Sequence, residues 1–149
     1  MPGRSAKDLL DLPISLRGIE LGRPVDLLLD LPGGRALGVD VRCGDGARRF
    51  LAAHAATLAT DAIRVSSPLA LVDEAEADFY RRHGAGLSGL LGARVEHATG
   101  EGVLDDVCVD ERMQITSVVV AAGGERLSVP LDDDVRVRLP HAAAPRVPD

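Results

Sequence analysis

The chain has 149 residues, a formal net charge of −6 and 46% hydrophobic residues, which is enough for one folded domain or two very small ones. The acidic balance argues against a direct nucleic-acid binder, since phosphate neutralisation by basic side chains supplies most of that affinity. Phe50, Phe79 and Tyr80 are the only aromatics, too few for base-stacking platforms, and no run approaches the roughly 18 apolar residues of a membrane span.

Met1 to Asp8 carries charge and no apolar core, which predicts that there is no signal peptide. Ser5-Ala6-Lys7-Asp8 has the form of a capping box ahead of Leu9 and Leu10 and predicts one helical turn, stopped by Pro13. From Ile14 the texture is that of strands and turns. Gly18 and Gly22 bracket a turn, Val25 to Leu31 is a dense apolar run, and Pro32-Gly33-Gly34 forces a reversal. Arg35 to Cys43 alternates with a period of two, placing Leu37, Val39, Val41 and Cys43 on one face and Asp40 and Arg42 on the other. Gly44-Asp45-Gly46 reads as a hairpin, Arg48 to Ala52 as the returning strand, Ala53 to Thr60 as a helical turn or loop, and Ile63 to Val65 as a closing strand.

Residues 73–86 differ in character. Asp73 can cap, acids crowd the first turns, Arg81, Arg82 and His83 crowd the last, and Gly84 follows, so a helix is predicted. Val72, Ala75 and Phe79 share a face that is assigned to packing, which leaves Tyr80 on a flank. Beyond it, Thr99 to Gly102 predicts a turn, Val103 to Asp110 and Ile115 to Ala122 predict strands, and Gly123-Gly124 predicts a hairpin. Leu127 to Leu131 returns, and Val135 to Val137 closes. Residues 139–149, with Pro140, Pro145 and Pro148 among alanines, predict a disordered tail.

The two stretches match in order. Asp26-Leu27-Leu28-Leu29-Asp30 is answered by Asp106-Val107-Cys108-Val109-Asp110. Leu9-Leu10 meets Leu90-Leu91, Gly22 meets Gly102, Val41 meets Val119, Leu51 meets Val129, and Ile63-Arg64-Val65 meets Val135-Arg136-Val137. The separation between matched positions shrinks steadily along the chain, as two copies of one unit with unequal loops would give. Short strands with Gly-rich turns then argue for small barrels or sandwiches.

These residues resemble the PRC-barrel family, a small β-barrel named for part of a photosynthetic reaction-centre subunit and found also in a ribosome maturation factor. The resemblance is carried by Leu90-Leu91-Gly92-Ala93-Arg94-Val95, by Gly102 with Asp106 to Asp110, and by Val129-Pro130. In the first copy it is carried by Leu9-Leu10, Pro13-Ile14, Gly22-Arg23-Pro24-Val25-Asp26 and Gly34-Arg35. Asp11 and Ala52 depart from the pattern. The resemblance implies a mainly all-β fold: two tandem PRC-type barrels, residues 5–72 and 87–138, joined by a helical linker over 73–86. It also implies action by holding other molecules, with no shared catalytic residues.

Candidate chemistry is thin. Cys43, His54, His97 and Cys108 lack the close pairing of a zinc site, and Cys43 and Cys108 read as buried thiols of a cytoplasmic protein. Asp105-Asp106, Asp110-Glu111 and Asp132-Asp133-Asp134 read as solvated acids in turns and at strand ends. Ser66, Ser67, Ser88, Ser117 and Ser128 have no nucleophile elbow, and His83 and His141 complete no triad. No catalytic, cofactor or metal residue is assigned, and no cofactor is expected. The expected function is a non-catalytic adaptor that binds another protein or forms a homodimer. The alternatives are a ribonucleoprotein assembly factor acting through a ribosomal protein and, more remotely, a small-ligand binder or enzyme using a cleft between the copies. Tyr80, Arg81 and Arg82 are the candidate partner-binding residues, since Tyr and Arg are favoured anchors. The competing reading has Phe79 and Tyr80 close the seam between the copies.

Overall fold

A computed structural model describes residues 3–132 and 134–138 of the chain; the expected tail, with His141, and Asp133 lie outside the described residues. The first half runs Arg4–Ser5 (β1), Ala6–Leu9 (α1), Ile14–Leu16 (β2), Ile19–Asp30 (β3), Arg35–Cys43 (β4), Arg48–Ala52 (β5), Thr57–Leu58 (β6) and Ile63–Arg64 (β7). Leu71–Val72 (β8) and Glu74–Arg81 (α2) follow, and Ala85–Gly86 (β9) leads into the second half, with which it is counted. The second half runs Leu87–Leu90 (α3), Arg94–His97 (β10), Gly100–Val109 (β11), Ile115–Ala122 (β12), Glu125–Pro130 (β13) and Arg136–Arg138 (β14).

The protein is mainly β, with two sheets. One has the order β6-β7-β2-β3-β4-β5-β8 with β9 added beside β3, the other β13-β12-β11-β10-β14 with β1 added beside β11. Neither strand path closes on itself among the described residues. Each half therefore lends the other a short strand: β1 pairs with Cys108 and Val109, and β9 with Leu28 and Leu29.

The central hairpins match in their irregularities. Pro24 pairs with Val41 and Asp26 with Asp40, leaving Val25 as an extra residue, and Leu28 pairs with Gly38 and Leu29 with Ala36, leaving Leu37 extra. In the other sheet Asp105 and Thr116 are the extra residues at the corresponding places. An extra residue flips the faces beyond it. That is why Leu37 leaves the face of Val39 and Val41, against the simple alternation, and joins Leu28, Phe50, Ala52 and Ala77 in a second cluster. The same registers set Val41 against Val120, one residue on from the sequence match, because the loop difference lies in the hairpin tips.

Gly22 and Gly102 sit inside strands, where turn positions were expected. A side chain at Gly22 would lie 2.6 Å from the Arg42 carbonyl oxygen, and one at Gly102 would lie 2.5 Å from that of Ala121. Close passage of the neighbouring strand, rather than a turn, requires glycine at both. The observed turns are Arg17-Gly18, with φ of 52° and 85°, and Ala98-Thr99. The closing strands depart from each other: β7 lies parallel to β2, having entered through its hairpin with β6, whereas β14 lies antiparallel to β10.

A continuous buried cluster draws on both halves, with Leu9, Leu27, Leu29, Val39, Val41 and Leu51 meeting Leu87, Leu90, Val107, Val109, Val118 and Val120. The helical turns are tied across the halves in the same way. Ser5 caps α1 and donates its hydroxyl to Asp106 Oδ2, while Lys7 N and Val107 N donate to Asp106 Oδ1 at 3.2 and 2.8 Å. Reciprocally, Ser88 N and Ser88 Oγ donate to Asp26 at 3.1 and 2.6 Å, and Leu27 N at 2.9 Å. Asp106 is only 4% exposed. This corrects its reading as a solvated acid, because the bulge at Asp105 turns it onto α1, where three donors satisfy it.

Candidate interaction site

Helix α2 forms where the sequence places it. Asp73 accepts a hydrogen bond from Glu76 N at 3.1 Å, Glu74 and Glu76 occupy the first turn, and Arg81 the last. Strand β8, which leads into it, pairs with Phe50 and Leu51 of β5 and so fixes where the helix lands. Ala77, fully buried, faces the sheet, and Tyr80 stacks on Phe50 with ring centroids 4.8 Å apart and planes 29° apart. Gly38 makes this possible, since a side chain there would lie 2.4 Å from the Phe50 ring.

The buried face is therefore that of Ala77 and Tyr80, not that of Ala75 and Phe79, while Val72, on β8, packs beside Phe50 as part of the same cluster. Phe79 was expected in the core and is 64% exposed. In so short a helix either face can be buried. Phe50, rising from β5 beside β8, selects the one carrying Tyr80. Phe79 stands outward, edge-on to Tyr80 at 5.4 Å and 4.9 Å from the His83 ring. His83 Nδ1 lies 2.8 Å from the Phe79 carbonyl oxygen.

The three residues singled out from the sequence thus occupy different settings. Tyr80 is half-buried against Phe50. Arg81 donates to Asp40 at 2.6 Å, with Glu74 and Asp78 at 3.5 and 3.9 Å. The hydrogen bond to Asp40 raises the Arg81 pKa above its ordinary value, against the lowering effect of partial burial. Arg82 is exposed.

Beside Phe79 opens a cavity of about 420 Å³. Its walls come from both halves: Arg35 to Leu37 on β4, Ala53 and His54 on a short 3₁₀ turn, Phe79 and Tyr80 from α2 with His83 just beyond its end, and Arg112 and Gln114 from the loop before β12. The two loops are stitched together by Ala36 N donating to the Met113 carbonyl at 2.7 Å and Ile115 N to the Gly34 carbonyl at 2.8 Å. Gly34 and Met113, at corresponding places, both take left-handed backbone with φ of 71° and 64°. Arg35 lies 3.8 Å from Asp30, and Arg112 makes no ion pair among the described residues. Sequence reasoning missed Arg35, Arg112 and Gln114 and weighed His54 only as a zinc ligand, since their convergence depends on cross-half stitching that no local pattern announces.

The remaining candidates stay apart. Cys43 and Cys108 are free, half-buried thiols on different sheets, His97 Nδ1 lies 3.2 Å from Thr99 Oγ1, and His54 faces the cavity. Among the described residues no three His, Cys, Asp or Glu side chains gather as a metal site. Asp105 pairs with Arg126 at 2.6 Å and Lys7 at 3.5 Å. Desolvation acts to raise its pKa, but the charges and hydrogen bonds of Arg126 and Lys7 outweigh it and hold the carboxyl below its ordinary value. Asp110 accepts from Arg112 N and Gln114 N at 2.8 and 2.9 Å, and Asp132 accepts from Asp134 N at 2.9 Å. Ser67 caps a 3₁₀ turn, and Ser128 bonds to Ser117 at 3.2 Å. No described helix is long and apolar enough to cross a membrane.

Compared with known proteins, the chain matches no family model and no curated protein.

Proposed function

We propose that the chain is a non-catalytic interaction scaffold of the PRC-barrel type, made of two copies of one unit and working in the cytoplasm by holding another protein. The duplication is supported by the matched bulges, the matched strand glycines and the reciprocal capping by Asp26 and Asp106. Each half reads as an open form of the small barrel, with α1 and α3 exchanged between halves. The non-catalytic reading is supported by how the acids are used, in caps and ion pairs.

One observation carries the functional reading: Phe79, 64% exposed, stands beside an arginine-lined cavity while its neighbour Tyr80 is spent on packing. Exposed aromatics beside arginines have the composition of interface anchors. Affinity capture from native cells with the wild-type chain and with Phe79→Ala tests it. Phe79→Ala should keep its melting temperature within about 2 °C, as an exposed side chain should, and lose the captured partner. Tyr80→Ala should lower the melting temperature. Equal recovery of the same proteins by wild type and Phe79→Ala would contradict the reading.

A further inference from the structure

The lining of the cavity beside Phe79 departs from the charge balance of the whole molecule. The whole chain carries a net charge of −6. Yet the cavity is lined by Arg35, Arg112, His54 and His83, with Asp30 as its one lining acid. Asp30 is already engaged, accepting from Gly33 N at 3.0 Å and lying 3.8 Å from Arg35. Two acids of the adjacent helix, Glu74 and Asp78, approach Arg81, on the side that meets Asp40. Among the described residues Arg112 is held only through its backbone, whose N–H donates to Asp110, and its guanidinium has no acceptor.

The apolar side of the same cavity is supplied by Ala36, Leu37, Phe79 and Tyr80. At about 420 Å³ it has the volume of a small-molecule or single-side-chain pocket. It is also rigidly framed, by the Phe50–Tyr80 stack on one side and the cross-half backbone bonds at Ala36 and Ile115 on the other. A ring entering it meets Phe79 and Tyr80, and a carboxylate beside that ring meets the guanidinium groups, which bind carboxylates in charge-assisted hydrogen bonds.

We propose that this cavity receives an acidic segment of the partner protein, one that inserts an aromatic side chain against Phe79 and sets a flanking carboxylate on Arg112 and Arg35. The inference rests on the scaffold reading and adds the chemistry of what is held. It places recognition in the junction between the halves, so that the interface exists only when both are folded together. The flanking contacts are exposed enough to be screened, so binding weakens as salt rises.

The test uses the full chain and three blocked peptides: a phenylalanine flanked on each side by two glutamates, the same peptide with alanine in place of phenylalanine, and the same with lysines in place of the glutamates. Binding is followed by amide and imidazole chemical shifts around the cavity. The glutamate–phenylalanine peptide should shift His54, His83 and Gln114 and bind at least about tenfold more tightly than either control, a clear difference in affinity terms. Arg112→Glu, at an exposed side chain that makes no hydrogen bond or ion pair among the described residues, should keep the wild-type melting temperature and abolish that preference. The inference is overturned by no binding, by equal binding of the lysine peptide, or by an unchanged preference in Arg112→Glu. If the peptides fail while a cellular partner is still captured through Phe79, the scaffold reading stands and only the cavity chemistry falls. If Phe79 also has no effect on capture, both fall.

Discussion

The two sheets share the pairing and bulges of their central strands but differ in what lies over their outer faces. On the first sheet that face carries Leu28, Leu37, Gly38, Phe50 and Ala52, and α2 covers it through Ala77 and Tyr80. At the corresponding places of the second sheet stand Cys108, Thr116, Ser117, Ser128 and Pro130, and no described helix covers them. Where the first sheet packs Phe50 against Gly38, the second joins Ser128 to Ser117 by a hydrogen bond of 3.2 Å. The backbone ladder is indifferent to this exchange. Side-chain composition follows the cover: apolar residues gain by burial under a helix, and hydroxyls tolerate solvent. The exposure of Phe79 has the same origin, because the helix that buries one face also presents that ring beyond it.

The comparison breaks most visibly at Phe50. Phe50→Ala should cost about 3–5 kcal/mol, since the ring is fully buried between Gly38 and Tyr80, whereas Ser128→Ala should change stability by no more than about 0.5 kcal/mol. Urea denaturation of both variants measures the difference. Similar costs would mean that the outer faces are equivalent after all.

The exchanged turns come next, and here the halves should behave alike. Asp106→Ala leaves Ser5, Lys7 N and Val107 N without their acceptor and should cost about 1–3 kcal/mol. Asp26→Ala removes the same kind of cap from Ser88 and should cost somewhat less, since Asp26 is only half-buried. Denaturation midpoints of the two variants sharpen the comparison: a cost at one position alone would show that only one exchange matters.

The smallest effect concerns Asp105, whose carboxyl is held below its ordinary value by Arg126 and Lys7 against the opposing effect of desolvation. A depressed folded-state value means that the contribution is present above the unfolded-state value, near 3.9 for an aspartate, and is lost as pH falls through the folded one. Asp105→Asn should therefore be slightly less stable than wild type at pH 7, and the gap should close in acid. A gap that widens on acidification would contradict the pairing.

Much of the architecture could be read from residues. The alternation around Val39 and Val41, the glycine hairpins and the cap and charge pattern of α2 each state a local preference that the fold keeps. What could not be read were consequences of bulges and of cover. An extra residue at Leu37 sends it to the opposite face, and one at Asp105 turns Asp106 inward, yet neither disturbs the sequence pattern enough to be seen. Phe79 and Tyr80 are adjacent on a helix of eight residues, so periodicity allows either to be buried, and only the position of Phe50 decides. The cavity residues Arg35, His54 and Arg112 converge through long-range pairing, which leaves no local trace.

The central claim is that the halves form one body, because each lends a strand and a helical turn to the other and both feed one buried cluster. A half of this size buries only about 60% of its unfolded surface and is marginal alone, and the second half has no aromatic residue. Native-state hydrogen exchange on the full chain tests this directly. The slowest amides of β3 and β4 and those of β11 and β12 should lose protection together, at one denaturant concentration and with one free energy. Exchange of β11 and β12 through a separate opening, with β3 and β4 still protected, would contradict it, as would a sharp thermal transition from residues 87–138 alone.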